Sequence, residues 1–238
     1  MFSRSVLVLA ALAVADPLLA AEEEEHGPWA GMATLGYLAT SGNTNNSNLN
    51  TGLEVSYSTG MWQHLFNARA INATEDDQTT TAAFELGWKT ERSLSENNFL
   101  FGRLNWRKDR FSGYDTQFSQ TVGYGRRLID REGYKLNAEI GVGARQSDLI
   151  DGSQESETIL RGGLHFTWTL SETAEFRQGF VVESGSSNTY SEAVTALSSR
   201  LIGNLALVAS FTAKNNSEVP QLTEKTDTYT ALSLEYSF

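Results

Sequence analysis

Residues 134–145, Tyr-Lys-Leu-Asn-Ala-Glu-Ile-Gly-Val-Gly-Ala-Arg, alternate without a break. Tyr134, Leu136, Ala138, Ile140, Val142 and Ala144 share one side of an extended strand; Lys135, Asn137, Glu139, Gly141, Gly143 and Arg145 share the other. Strand side chains point to the two faces in turn, so one face is oily throughout and the other is charged or bare. A helical period would scatter the charges round the whole circumference. The stretch reads as a strand, and the fold depends on whether its oily face meets a protein core or lipid.

The same pattern recurs along the chain from Trp29 with no helix-period segment between repeats, and twelve strands can be counted. Ala82, Phe84, Leu86 and Trp88 oppose Ala83, Glu85, Gly87 and Lys89. Leu100, Gly102, Leu104 and Trp106 oppose Arg103, Asn105 and Arg107, and Leu232, Leu234, Tyr236 and Phe238 oppose Ser233, Glu235 and Ser237. Connections alternate between short ones, near Gly60, Ser95, Glu132, Glu172 and Gly203, and longer polar ones. The longer ones are expected over 41–46, 74–78, 109–115, 147–156, 185–190 and 215–225. Aromatics favour strand ends, as at Trp62, Trp88, Trp106, Tyr134 and Trp168. Outer-membrane barrels combine an even strand count, short periplasmic turns, longer outward loops and aromatic girdles. A soluble β-sandwich shares the alternation, but a closed soluble barrel of this width would leave its interior unfilled.

The whole chain agrees. Its 238 residues carry a net charge of −11 and contain no cysteine. That balance argues against a nucleic-acid partner, and no disulfide framework or thiolate metal site is available. Mean hydropathy is −0.32, the value of a soluble protein; a membrane barrel escapes that measure because only alternate residues face lipid. Residues 1–21 read as a secretory signal, with Arg4 before an apolar run over Val6–Ala15 and small residues at Ala20-Ala21. Residues 22–28 form an acidic periplasmic tail and 29–238 the barrel.

Several motifs in this frame resemble a known group. Tyr37-Leu-Ala-Thr-Ser-Gly-Asn-Thr44, Arg103-Leu-Asn-Trp-Arg-Lys-Asp-Arg-Phe-Ser-Gly113, Val122-Gly-Tyr-Gly-Arg126 and Gly133-Tyr134 occur in order. Together they look like the YdiY-like family of salt-induced outer membrane proteins, a family of unknown function. The resemblance implies a Gram-negative outer membrane and assigns no activity. The ending Tyr236-Ser-Phe238 is similar to the signal by which barrel-assembly machinery recognises its substrates. The implied partners are that machinery, outer-membrane lipid and lipopolysaccharide.

The inward face carries both signs. Glu54, Arg69, Glu85, Lys89, Arg103, Arg107, Arg127, Lys135, Glu139, Arg145, Arg161, His165, Arg177 and Glu183 are predicted to line the lumen. They can serve as charge rings of a narrow pore, slightly favouring anions, or as a lattice of ion pairs filling a closed interior. Glycines on the same face, Gly52, Gly87, Gly123, Gly125, Gly141, Gly143 and Gly163, would either let long cations cross the lumen or relieve strand curvature.

Catalysis needs a base beside a nucleophile, and the three histidines offer little. His26 lies in the tail, His64 near a periplasmic turn and His165 inside. A plugged barrel with a lipid-hydrolase-like or binding role is the alternative to a structural or small-solute pore. Asp76, Asp77, Asp148 and Asp151 suggest a cation only weakly, without EF-hand spacing. No cofactor is implied.

If Ile140 faces lipid near the bilayer midplane, Ile140→Arg should destabilise assembly by about 2–4 kcal/mol, while Asn137→Lys should be mild. Urea unfolding of the protein refolded into lipid vesicles measures both.

Overall fold

The computed structural model describes residues 27–40, 46–75, 78–109, 114–219 and 224–238. The predicted signal over 1–21, most of the acidic tail and Asp76-Asp77 lie outside them.

Twelve strands follow one another: β1 (Trp29–Thr40), β2 (Asn46–Thr59), β3 (Trp62–Glu75), β4 (Gln78–Ser93), β5 (Asn98–Asp109), β6 (Tyr114–Arg131), β7 (Tyr134–Leu149), β8 (Gln154–Thr169), β9 (Ala174–Ser184), β10 (Thr189–Ile202), β11 (Leu205–Asn216) and β12 (Thr226–Ser237). Each pairs antiparallel with its sequence neighbours, and β12 returns to β1 to close the barrel. Closure removes the sheet edge, which is what a strand needs to cross lipid with its backbone satisfied. The seam is the shortest ladder, running from Met32↔Ser237 to Gly36↔Ser233. It is extended by paired backbone bonds between Gly31 and Phe238, at 2.8 and 2.9 Å.

The barrel is inverted relative to a soluble protein. Ile140, Val142, Leu160, Leu86 and Val122 are each about half exposed or more, whereas Lys89, Glu139, Arg145 and Arg161 are buried. Aromatic contacts ring the end with the short turns: Trp29 tilted against Tyr57 at 4.6 Å, Tyr134 stacked on Trp168 at 5.7 Å, and Trp62, His64 and Trp88 stacked in one row. The turns at this end are tight; Gly133, for example, takes φ 78°, a conformation that favours glycine.

The expected long loops are shorter than read. β7 runs to Leu149 and β8 starts at Gln154, so only 150–153 remain of the loop expected over 147–156. The expected 185–190 loop shrinks to 185–188. Polar residues on both faces imitate a loop in sequence, yet Ser147↔Glu155 and Asp148↔Gln154 continue the ladder.

The inner face is not wholly polar. Phe99 and Phe101, 2% and 4% exposed, share the inward side of β5 with Arg103 and Arg107. Ile159 on β8 is equally buried. The two phenylalanine rings lie over β6 and β7: a Cβ at Gly125 would run into Phe99, and one at Gly123 would meet Phe101 as well as the backbone of β7, while at Gly141 Phe101 also lies close. Neither sequence reading of these glycines anticipated this: they make a bed for aromatic rings. Lys89 Nζ lies 5.4 Å from each ring centroid, and the Arg127 guanidinium lies 5.2 Å from that of Phe99.

At Gly125 the three closest atoms to an added Cβ all belong to Phe99. Gly125→Val should therefore cost about 1–3 kcal/mol, as overpacking does. Phe99→Ala in the same chain should recover part of that loss, and the four proteins compared by urea unfolding in vesicles give the coupling.

Candidate functional site: the charged lumen

Ten of the fourteen residues expected in the lumen join ion pairs, and those charges are not spread evenly. They form linked groups that span the barrel. In the densest, Glu183 on β9 accepts from Arg161 Nη1 on β8 at 2.7 Å and from Arg107 Nη2 on β5 at 3.4 Å. Arg145 Nη1 on β7 lies 3.9 Å from the same carboxylate. Arg145 also donates from Nε and Nη2 to Glu157 Oε1, at 3.0 and 2.6 Å, and from Nη2 to the Asn188 carbonyl. Exposure is 0% for Arg145 and 2% for Arg161 and Glu183. Such charges persist in a confined interior only when paired and hydrogen-bonded.

The loop over 185–188 completes this group. Glu157 Oε2 accepts the backbone N–H of Ser187 at 2.8 Å and of Asn188 at 3.4 Å. Asn188, 2% exposed, donates to Asn216 Oδ1 at 2.8 Å, and its own Oδ1 accepts from Ser217 and Glu218. This stretch, read as a polar outward loop, is tied into the lumen.

A second group crosses the barrel. Arg69 on β3 pairs with Glu85 at 2.6 Å and with Glu192 on β10 at 3.2 Å. Lys214 lies 3.8 Å from Glu192, which also accepts the Tyr190 hydroxyl at 2.7 Å. Arg107 stacks 3.8 Å above the Tyr190 ring, linking the two groups through a cation–π contact. Nearer the short turns, Lys89 pairs with Glu139 and with Glu91, and Arg177 pairs with Glu235 at 2.8 Å. Arg127 sits 4.0 Å from Glu91 and donates to the Glu96 carbonyl.

Four of the predicted residues stay out of this pairing. Lys135 is exposed at the short-turn rim, opposite Asp130 in register. Glu54, Arg103 and His165 face a cavity of about 500 Å³ and make no ion pair or hydrogen bond among the described residues. That cavity occupies the short-turn half of the lumen. Toward the other end the inward residues close up: Tyr114, Gln117, Ser147, Asn188 and Asn216 are all buried. The space between Arg107, Tyr114, Tyr190 and Lys214 is only about 30 Å³. Among the described residues the lumen is thus dense at the loop end and hollow at the short-turn end.

The sequence reading missed Glu192, Tyr190 and Asn188, as well as the inward phenylalanines. Glu192 and Tyr190 share the inner side of β10 with Ser198. The outward row Thr195, Leu197, Ser199 and Leu201 implied that parity, so the signal was present. Asn188 gave none, since its place depends on the fold of a loop. Among the described residues, neither His64 nor His165 has a hydrogen-bonded nucleophile beside it. His64 lies in the outward aromatic row with Trp62 and Trp88. Asp148 accepts from Thr116 and Gln154, and Asp151 accepts from Ser153 within its own turn.

Removing Arg145 strands Glu157 and part of Glu183, so Arg145→Met should cost about 3–5 kcal/mol. The exposed pair Lys108–Asp115, 3.5 Å apart, should contribute no more than about 1 kcal/mol, read from Lys108→Met in the same unfolding assay.

The barrel is similar to an outer membrane channel from Pseudomonas putida F1, with a TM-score of 0.52 and 9% identity over 89% of this chain and 96% of that one. The translocator domain of the autotransporter NalP from Neisseria meningitidis gives 0.51 and 11% over 89% of each chain. A NanC porin gives 0.50 and 10% over 87% of this chain and 97% of that one. At such identities the likeness is one of fold: a barrel of the outer-membrane type. In sequence the chain is 30% identical over 213 residues to the uncharacterised protein YdiY of Escherichia coli (strain K12), covering 88% of this chain and 83% of that protein. Residues 33–238 match the family described as a protein of unknown function, DUF481. The chain belongs to that family.

Proposed function

We propose that this chain is an exported outer-membrane barrel that holds its lumen shut with a buried charge lattice. It acts as a structural element or a narrow, normally closed small-solute and ion pore of the envelope, not as an enzyme. One observation carries the reading: Arg107 on β5 reaches the buried Glu183 on β9, and Arg69 on β3 reaches Glu192 on β10, so ion pairs bridge strands that are far apart in the ring. The short turns and both described ends of the chain lie at one end of the barrel, which the general rule for these proteins makes periplasmic. Export by the signal over 1–21 and assembly through Tyr236-Ser237-Phe238 belong to this reading, as do lipid and lipopolysaccharide as surroundings and the lack of a nucleic-acid partner. The link to salt or envelope stress rests on the family resemblance; growth of a deletion strain across salt concentrations tests it.

Planar-bilayer recording of the refolded protein tests the closed lumen. The wild type should show no porin-sized conductance steps. Glu183→Ala removes the carboxylate shared by Arg107, Arg161 and Arg145, and should open steps that favour anions. Steady large openings in the wild type, or none in folded Glu183→Ala, would contradict the reading. Phospholipid hydrolysis by the pure protein, abolished by His165→Ala, would favour the enzymatic alternative instead.

A further inference from the structure

The hollow end of the lumen holds two opposite charges that the lattice leaves alone. Arg103, on β5, points into the cavity of about 500 Å³. Its Nε is buried without a hydrogen-bond partner, and no carboxylate lies within ion-pair distance among the described residues. Its register partner on β4 is Lys89, a like charge already engaged by Glu139 and Glu91. Glu54, on β2, lines the same cavity as a solvent-exposed carboxylate with no ion-pair partner among the described residues, and its register partners, Met32 and Asn67, carry no charge. Gly52 and Asn67 also line the cavity, and an added Cβ at Gly52 would make only ordinary contacts, the nearest at 3.6 Å to Thr34.

We infer that this cavity is a binding pocket for a small zwitterion, with its anionic group on Arg103 and its ammonium on Glu54. A charge inside a barrel must be paired or hydrated, and one zwitterion satisfies both groups without altering the net charge of the lumen. A simple anion would leave Glu54 alone and would meet the carboxylates of Glu85, Glu91 and Glu139 on the same walls. A simple cation would leave Arg103 alone beside Lys89. The volume lies within the range of small-molecule sites, and neutral polar groups on Asn67, Asn137 and His165 remain to orient an amino-acid-sized ligand. The pocket does not depend on whether the barrel conducts.

Calorimetric titration of the refolded protein in detergent micelles tests this with glycine, 4-aminobutyrate and 6-aminohexanoate, which separate the two charges by increasing lengths. Butyrate and butylammonium serve as the single-charge halves. At least one amino acid should bind about tenfold or more tightly than either half. Arg103→Gln and Glu54→Gln should each weaken it about tenfold, and Gly52→Leu should abolish it by filling the pocket. Heat-modifiable mobility on gels confirms that each variant is folded; where Arg103→Gln does not fold, the other two carry the test. Butyrate or butylammonium binding as tightly as the best amino acid overturns the inference, as does the absence of binding by any probe. Unaltered affinity in folded Glu54→Gln or Gly52→Leu also overturns it.

Discussion

Charges that point into a narrow barrel must pair with one another or keep water beside them, because lipid cannot neutralise them. Everything inside this protein follows from that constraint. Alternation sends oily residues outward and charged ones inward, and closure of β12 onto β1 commits the whole inner face to a shared, confined space. Glu183 answers three arginines drawn from β5, β7 and β8; Arg69 reaches Glu192 on the far side of the barrel. Removing one member of such a group costs more than the pair contributes, since its partner is left buried and charged. The aromatic bed extends the same logic. Phe99 and Phe101 fill space that polar side chains would have to hydrate, and glycines on β6 and β7 give the rings room.

The constraint is met unevenly along the axis, and the unevenness shapes the functional reading. At the loop end, arginines, glutamates, Tyr190 and the inward-tied Asn188 leave almost no free volume. At the short-turn end the walls retreat into a cavity where Arg103 and Glu54 stand without partners. A uniform pore would space its charges along an open path. A purely structural barrel would pair them to both ends. This lumen does neither: its densest ion pairs crowd the loop half and its free volume lies in the short-turn half.

Much of the architecture was legible in the chain. A period of two is hard to imitate, and Tyr134–Arg145 shows it over a full strand. Its oily face was assigned to lipid by the even strand count, the alternation of short and long connections and the aromatics at strand ends. The loop lengths were less legible, because strands that outrun the lipid band no longer need an apolar face: Gln146, Ser147 and Asp148 look like loop residues and are strand residues. Phe99 and Phe101 were hidden by the equation of aromatic with lipid-facing, although their parity with Arg103 placed them inside. Pairing itself was beyond reach. Sequence tells which face Arg69 takes, but its contact with Glu192, 123 residues away, needs the closed ring.

The central claim is that the lattice separates the hollow half of the lumen from the outer side. The chain has no cysteine, so a single Thr34→Cys substitution places one thiol on the cavity wall. The most direct measurement is labelling of that thiol in intact cells and in opened envelopes by a membrane-impermeant maleimide too large for any gap in the lattice. Labelling confined to opened envelopes, where the short-turn end is accessible, is the predicted result. Equal labelling of intact cells would mean an open lumen and would contradict the account.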